Sequence, residues 1–360
     1  MKKMFRGSFY SIIIIILVAT FAILVIPLYR HSTSQELLVL LWNTKLPDSI
    51  VKRYLDERGV MITTISPKTR DEFFRELDNR NRIVSLSQKI DLIFAHDEIA
   101  LELVQKDYIK EVNSINIPNL SQLIPEAFNH YYDQKATLVI PYSAGLIGII
   151  QDLRFNRPQF KKWLDVAVSL SNNPQITLLV NTSNATRLLN HINGNRDFCT
   201  DSTYVFTVAK VIENSLWDYN PRGSLNELIN ANSELTIADS GMGIGIMRIS
   251  EYYKFFSSPE GGMKFYTTLS VAKSSFKSEQ AEDFINFMFS IRNAVLYTNE
   301  TNLYPMVKID SNLLNNQLYL SGGFTNFYNT NDSILQKCSP LEENKLDYSK
   351  HWNKVKLPFE

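Results

Sequence analysis

Short apolar runs alternate with longer amphipathic stretches along the chain after residue 35. The segment ELLVLLW, residues 36–42, is continuously apolar after its first residue, which is typical of a strand buried on both faces of a sheet. The stretch from Pro47 to Gly59 has helical spacing, with one apolar face formed by Ile50, Val51, Tyr54 and Leu55. Gly59 suits the end of this helix, because glycine readily adopts a left-handed backbone. The pattern therefore predicts a strand followed by an amphipathic helix.

The same order then repeats toward residue 110. Apolar runs at 60–66 and 91–95 predict two further strands, and the amphipathic segments at 71–80 and 98–109 predict two helices. A strand–helix–strand–helix–strand order favours a parallel sheet that is covered by helices on both faces.

Two long extended segments flank a second α/β pattern. Residues 135–152, KATLVIPYSAGLIGIIQD, leave no room for a helix, and FYTTLSVAK at 265–273 is similarly extended. Between them we expect strands at 175–180 and 234–239 and a helix at 182–192. A chain of 360 residues is long enough for two domains of ordinary size. We therefore expect an α/β protein whose two lobes are joined by two extended crossover strands.

The segment after the second crossover predicts one long helix. Ser278 suits its N-cap, and a single apolar face is formed by Ala281, Phe284, Ile285, Met288, Ile291 and Val295. With this helix included, lobe one is expected to comprise residues 36–141 plus about 263–305. Lobe two is expected to comprise residues 142–262 plus about 306–360.

The N-terminus has the residue pattern of an export signal. Lys2, Lys3 and Arg6 precede the apolar segment IIIIILVATFAILVIPL at 12–28, and basic residues before such a run keep the N-terminus in the cytoplasm. The run is longer than most cleaved signals, which favours an uncleaved N-terminal hydrophobic helix as a signal anchor. Cleavage after Ser34 is the alternative. In both cases we expect everything after about residue 35 to lie outside the cytoplasmic membrane.

Composition excludes several classes of function. The chain has 37 basic and 37 acidic residues and a formal net charge of zero, so nucleic acid is not an expected partner. The five histidines show no metal-ligand spacing, and neither a Walker loop nor a G-x-S-x-G elbow occurs. We therefore expect no metal, no cofactor and no enzymatic activity. Cys199 and Cys338 allow either one disulfide or two free thiols.

Two short segments contain residue types that also occur in dinucleotide-binding loops or in catalytic sites. GMGIGIM at 241–247 lacks the G-x-G-x-x-G spacing of a dinucleotide loop and predicts a strand that permits close backbone approach. His96, Asp97 and Glu98 form a dense polar group directly after a predicted strand. This group suits a helix N-terminus with Asp97 as cap, and the alternative is a hydrolase or transferase that uses His96 and Asp97.

Several ordered segments of the chain resemble a known family. They are LWNTKLPDSIVKRYLDERGVMI, KIDLIFAHDEIALELVQKDYIKEVN, IPNLSQLIPEAFNHYYDQKATLVIPYSAGLIGI, EGGMKFYTTLSVAKSSFKSEQAEDFINFM and TNLYPMV. In order and spacing they resemble the type II periplasmic solute-binding proteins of ABC transporters, and more narrowly the spermidine/putrescine-binding proteins. The resemblance runs from about residue 37 to about 355. It implies two lobes that close on a solute at the carboxyl ends of the strands and then present it to a membrane permease.

The resemblance also implies ligand-binding positions. The first pocket aromatic is kept as Trp42, Asn43 takes the small polar position beside it, and the later pocket tyrosine is kept as Tyr304. The remaining positions are occupied by other residue types, namely His96, Glu98, Gly241, Phe265 and Thr267. Trp42 has an alternative role, which is to pack beneath the following helix.

The charge of the residues at the expected pocket positions distinguishes between a polyamine and other candidate solutes. The family's acidic pair falls in NTSNATR, where no carboxylate occurs and Arg187 lies nearby. A polyamine desolvated without carboxylates would lose several kcal/mol per charge, so Asp97, Glu98 or Asp239 would have to supply them. A less charged solute, or an anionic one bound through Arg187 and Lys45, is the alternative.

The sequence therefore favours an extracytoplasmic solute-binding component of an ABC importer, for a polyamine or a related small solute. Its expected partners are that solute, an ABC permease in the inner membrane, and the membrane itself through residues 12–28. Its expected location is the periplasm, tethered by the uncleaved helix or released by cleavage. The alternative is a membrane-anchored interaction or sensing module that keeps the fold without transport.

Overall fold

A computed structural model describes residues 36–82, 88–130, 132–156, 159–160, 166, 169, 178–180, 216–217, 229–230, 233–256 and 263–314. The predicted anchor at 12–28, the predicted helix at 182–192, Arg187, Cys199 and Cys338 lie outside these residues. No helix in the described ranges has both the length and the apolar character needed to span a bilayer.

The described strands are β1 Glu36–Trp42, β2 Met61–Ile65, β3 Leu92–His96, β4 Ile109–Lys110, β5 Ile140–Asp152, β6 Leu178–Val180, β7 Leu216–Trp217, β8 Leu235–Asp239, β9 Tyr253–Phe256, β10 Met263–Ala272 and β11 Tyr304–Pro305. The described α-helices are α1 Asp48–Arg58, α2 Arg70–Arg82, α3 Ala100–Gln105, α4 Ser240–Ile249, α5 Ser278–Met288 and α6 Ile291–Thr301. All the strands belong to one sheet whose main order is β2-β1-β3-β10-β5-β8-β6-β7.

Strand β1 is buried on both faces, as its continuous apolar run predicts. Leu37, Val39 and Leu41 belong to one core cluster, which includes α1 and α5 residues, whereas Leu38 and Leu40 belong to another, which includes α2 and α3 residues. Parallel pairing joins β1 to β2 on one side and to β3 on the other. The predicted parallel sheet with helices on both faces is thus confirmed for this half of the molecule.

Helix α1 ends where the sequence predicts. Gly59 adopts a left-handed backbone with a φ of 67°, and its amide donates to the Leu55 carbonyl at 2.8 Å. Ile50 and Tyr54 are buried, as expected, but Leu55 is 44% exposed. The prediction for Leu55 was wrong. Of the four apolar residues, only Ile50 and Tyr54, which are four positions apart and share one helix face, are buried in the core.

The helix predicted over 98–109 is shorter in the structure. A 3-10 turn at Asp97–Ile99 precedes α3, which ends at Gln105, and Ile109 already belongs to β4. Asp107 has a φ of 58°, and this left-handed residue turns the chain back toward the sheet.

Strands β5 and β10 are the two predicted crossovers, and they pair with each other antiparallel from Ile140 to Ile147 of β5. β10 also pairs with β3, and the far half of β5 pairs with β8 and β9. Every residue of β5 is buried. These two strands therefore connect the β1–β3 side of the sheet to the β8 side.

A bulge interrupts this pairing. Thr267 lies opposite Ser143, but the next β10 residue, Thr268, lies opposite Pro141, so that Tyr142 is the extra residue. The Tyr142 ring is buried and its hydroxyl donates to the Met288 carbonyl at 3.2 Å. The bulge thus falls at the strand position that is fastened to α5.

The strand predicted for GMGIGIM is wrong, because residues 240–249 form helix α4. The Asp239 side chain caps this helix by accepting a hydrogen bond from the Met242 amide at 2.9 Å. A Cβ on Gly243 would lie 2.3 Å from the Phe255 ring, so glycine lets the helix approach β9 closely. Packing of this kind overrides the low helix propensity of glycine.

The single helix predicted after Ser278 is divided into α5 and α6. Ser290 has an extended backbone, with a ψ of 139°, which breaks the helical path. The Phe287 carbonyl left at this break accepts from the Ser290 hydroxyl at 2.8 Å and from the Asn293 amide at 2.7 Å. Side chains therefore compensate the hydrogen bonds that a continuous helix would have made.

A buried ion pair fastens the start of β1 to the end of β10. The Asp91 carboxylate accepts from the Leu38 amide at 3.0 Å and from the Ser275 hydroxyl at 2.7 Å, and lies 3.6 Å from the Lys277 ammonium. The same ammonium donates to the Glu36 carbonyl at 2.8 Å. Burial raises the pKa of Asp91, while these hydrogen bonds and the Lys277 charge oppose that rise.

We expect Lys277→Met to lower the free energy of unfolding by about 3–5 kcal/mol at neutral pH, because it leaves a buried carboxylate without its cation. The loss is expected to shrink at about pH 4, since a raised folded-state pKa means that the unfolded chain releases its proton first as the pH rises. Urea unfolding at the two pH values measures both effects. The control is Lys273→Met, which removes an exposed partner of Asp107 and should cost less than about 1 kcal/mol. An equal loss at both pH values would rule out the ionised carboxylate as the cause.

Candidate ligand-binding site

The predicted site residues converge where the crossovers pass the carboxyl ends of β1, β3 and β8. One row of the sheet runs across four strands, from His96 through Thr267 and Ser143 to Pro305. Neighbouring strands lie about 4.8 Å apart, so this row spans about 14 Å. In α/β sheets this edge is the usual position of ligands.

Trp42, Asn43 and Glu98 contact one another at one end of this region. A Glu98 carboxylate oxygen accepts from the Trp42 indole nitrogen at 2.6 Å and from the Asn43 side-chain amide at 2.5 Å. Asn43 directly follows β1 with a φ of 51°, a left-handed conformation that asparagine tolerates better than most residues. The three residues thus form a polar cluster, with Glu98 as its common acceptor.

Most of the Trp42 ring is packed inside the protein. The side chain is 7% exposed, and its ring lies 5.7 Å from that of Phe73 on α2. It does not pack beneath the following helix α1, because Trp42 and α1 lie on opposite faces of the sheet. The polar edge of the indole is the part that is directed toward Glu98.

His96 and Phe265 form a second contact pair. Their ring centroids lie 4.6 Å apart, and both residues are buried. A Cβ on Gly145 would lie 2.5 Å from the Phe265 ring, so the glycine in β5 makes room for that ring. The crossover therefore places an aromatic wall beside the end of β3.

Thr267 belongs to a group of buried hydroxyls. Thr267, Ser143 and Tyr297 are each at most 1% exposed, and the hydroxyls of Ser143 and Thr267 lie beside that of Tyr297. Burial raises the pKa of Tyr297, the adjoining hydroxyls of Thr44, Ser143 and Thr267 lower it, and the Asp239 charge raises it. Ser143 and Tyr297 were not predicted as site residues, because their only signal in the sequence is a polar atom within an apolar strand or helix face.

Gly241 lies in the first turn of α4 and not on a strand, contrary to its predicted position. Its carbonyl accepts from the Asn302 side chain at 3.1 Å, and a Cβ there would lie 2.3 Å from the Thr301 carbonyl. Tyr304, two residues after Asn302, pairs with Ala144 in β5 and packs against Ile244 of α4. Gly241 and Tyr304 thus lie where α4 meets the end of α6.

The carboxylates considered for a cationic solute all lie at strand ends. Asp97 follows β3 and accepts from the Tyr266 amide of β10 at 3.0 Å. Asp239 ends β8 and caps α4, and Glu98 belongs to the cluster with Trp42. Among the described residues, no group of three or more side chains has the makeup of a metal site.

A groove of about 430 Å³ lies away from this region, between α2 and α3. Its charged side chains are partly paired, since Glu102 bridges both Arg70 and Lys106. Both cations also lie over the Phe74 ring. We therefore place the candidate site where the strand ends meet the crossovers and not in this groove, whose volume alone does not indicate a binding site.

We expect Gly241→Ala to destabilise the protein, because the added methyl group meets the rigid Thr301 carbonyl. Gly245→Ala is the matched control in the same helix, since its Cβ would meet only the Asn302 amide, at an ordinary 3.6 Å. The control should gain about 0.5–1 kcal/mol from helix propensity. Thermal unfolding of both variants measures the difference. Equal stabilisation by the two substitutions would contradict close packing at Gly241.

Comparisons with known proteins agree with this architecture. No family model matches the chain. The spermidine/putrescine-binding periplasmic protein 1 of Haemophilus influenzae is 21% identical over 126 residues, which are 35% of this chain and 34% of that protein. The chain thus matches about a third of the length of this curated relative.

Solved structures match over nearly their whole length. The spermidine/putrescine ABC transporter substrate-binding protein PotD of Streptococcus pneumoniae has a TM-score of 0.70 at 14% identity, over 90% of this chain and 99% of its own. The binding protein AgtB of A. tumefaciens R10, in complex with agropinic acid, has a TM-score of 0.65 at 13% identity, over 89% and 98%. The chain therefore has the two-lobed α/β fold of the type II periplasmic solute-binding proteins.

Proposed function

We propose that this chain is the extracytoplasmic solute-binding component of an ABC importer and holds a small solute between its lobes. The observation that carries the proposal is the meeting of both crossovers with the carboxyl ends of β1, β3 and β8. At that meeting point lie aromatic rings, carboxylates and buried hydroxyls. Apolar pockets with a small number of placed polar groups are typical of sites that bind small ligands.

The solute we propose is a polyamine or a related small cation. Trp42 and Tyr304 offer aromatic rings, and Glu98 and Asp239 offer carboxylates on opposite sides of the crossovers. Ammonium groups are bound by carboxylates through charge-assisted hydrogen bonds and by aromatic faces through cation–π contact. The names of the relatives from H. influenzae and S. pneumoniae support the same class. AgtB, bound to agropinic acid, shows that the fold also carries other solutes.

The lobes we propose are residues 36–141 with about 263–305, and residues 142–262 with about 306–360. The proposed location is the periplasm, where an ABC permease of the inner membrane would receive the solute. Residues 12–28 would hold the chain at that membrane as an uncleaved signal anchor.

A second candidate function follows from the contacts of Glu98. Its carboxylate is engaged by Trp42 and Asn43 of the protein itself, which is compatible with a site that no longer takes a cation. In that case the fold would serve as a membrane-anchored interaction or sensing module. Binding measurements separate the two candidates directly.

The test is isothermal titration of the full-length chain, in a mild detergent, with putrescine, spermidine, amino acids and organic acids. We expect saturable binding of a diamine, and a loss of about tenfold or more in affinity for Glu98→Gln, which keeps the shape but removes the charge. The matched control is Glu102→Gln on the outer face of α3, which should bind as the unchanged chain does. Absence of heat with every solute would exclude the transport proposal and leave the interaction module. Tight binding of an acid instead of a diamine would exclude the cationic class.

A further inference from the structure

Four charged side chains of helix α2 form one stripe along the groove between α2 and α3. They belong to Asp71, Arg75, Asp78 and Arg82, and all four line the groove. Their spacing of four, three and four residues keeps them within about 60° of the helix circumference, and the stripe extends along about 16 Å of the helix axis. The sign of the charge alternates along the stripe, as acid, base, acid and base.

The charges of this stripe are largely unused within the molecule. Asp71, Arg75 and Arg82 are exposed, and none of them forms a salt bridge with any other residue that the structure describes. The Asp78 carboxylate accepts from the Tyr108 hydroxyl, and a carboxylate can accept further hydrogen bonds. The stripe therefore has the capacity to pair with charges from outside the molecule.

The other charged residues of the groove are already paired with one another. Glu102 of α3 forms salt bridges with both Arg70 and Lys106. An ion of one sign would be attracted by one half of the stripe and repelled by the other half. An occupant of the groove must therefore offer charges of both signs at the matching spacing.

We propose that the occupant is the same stripe of a second copy of this chain, packed antiparallel across a two-fold axis. The four positions are symmetric about a point near the middle of α2. An antiparallel copy thus places Asp71 opposite Arg82 and Arg75 opposite Asp78, and each of these pairs occurs twice. A surface that is complementary to itself in this way is what a two-fold dimer requires.

The order of the charges determines the orientation of the two helices. In a parallel pair, each residue of the stripe would lie beside its own counterpart, so that acid would face acid and base would face base. Like charges placed in this way repel, which disfavours the parallel arrangement. The antiparallel pair brings every charge of the stripe opposite an unlike one.

The groove is suited to the side chains of the partner. Its volume of about 430 Å³ is small for a helix about 10 Å across, but it accommodates the ends of arginine side chains. The Phe74 ring lines the groove, and arginine packs well on aromatic faces. Exposed ion pairs are individually weak and are screened by salt, so we expect a weak association that is strongest at low ionic strength.

The experiment measures self-association of the full-length chain in a mild detergent by sedimentation equilibrium, at low and high ionic strength. The unchanged chain should form a dimer at low ionic strength and dissociate at high ionic strength. The variants Asp71→Arg and Arg82→Glu each place like charges opposite one another. Either variant alone should raise the dissociation constant of the dimer by about tenfold or more. An equimolar mixture of the two should associate again, because every opposed pair then has unlike charges.

The matched control is Lys52→Glu, an exposed charge reversal on α1, which lies on the opposite face of the sheet. It should self-associate as the unchanged chain does. The variants Arg75→Glu and Asp78→Arg form a second exchangeable pair and repeat the test at the centre of the stripe. Melting temperatures close to that of the unchanged chain show that each variant folds.

Three results would overturn the proposal. They are a monomeric unchanged chain at low ionic strength, a dimer that neither reversal weakens, and a mixture that stays as dissociated as its two components. The proposal does not rest on solute binding, because the groove lies away from the candidate ligand-binding site. A chain that dimerises in this way but binds no solute would uphold the dimer while the proposed transport function fails.

Discussion

The antiparallel pairing of β5 with β10 is the constraint on which the rest of the structure depends. β3 and β4 are fastened to β10, and β8, β9 and β11 are fastened to β5. The two sides of the sheet are therefore held together through this one pair of strands. The site residues on those strands, Ser143, Phe265 and Thr267, are consequently placed by backbone hydrogen bonds, which are more restrictive than side-chain packing.

Much of this architecture could be predicted from the apolar pattern. Continuous apolar runs predicted β1, β3, β8 and both crossovers, because strands buried on both faces leave such runs in the sequence. Helix α4 was missed because its glycines lower the intrinsic helix propensity, while the packing that favours it involves Phe255 and the distant Thr301. The cap at Asp239 was a visible signal for this helix. The break between α5 and α6 depends on Ser290 and Asn293, which resemble ordinary polar positions of a continuous helix.

The candidate site could be predicted only in part. Trp42, Asn43 and Tyr304 follow from the resemblance, which preserves residue types at given places in the chain. The contact between Trp42 and Glu98 joins residues 56 positions apart, and it exists because β1 and β3 pair in parallel so that both strands end at one edge. The hydroxyl cluster draws on β5, β10 and α6, and no local pattern relates these three segments. Predicting it requires the register of the crossovers.

The bulge at Tyr142 affects which deletions and substitutions strand β5 can tolerate. Successive residues of a strand face opposite sides, so a shift of one residue exchanges the two faces. Thr267 and Thr268 are consecutive in β10, so their partners Ser143 and Pro141 already face opposite sides, and deleting the extra residue Tyr142 would keep that alternation. Deleting a regularly paired residue such as Gly148 would instead turn the following side chains of β5, up to Asp152, to the other face. Point substitutions in this strand are local in their effect, whereas a single-codon deletion outside the bulge would alter both sides of the sheet at once. The segment should therefore tolerate changes of residue type far better than changes of length.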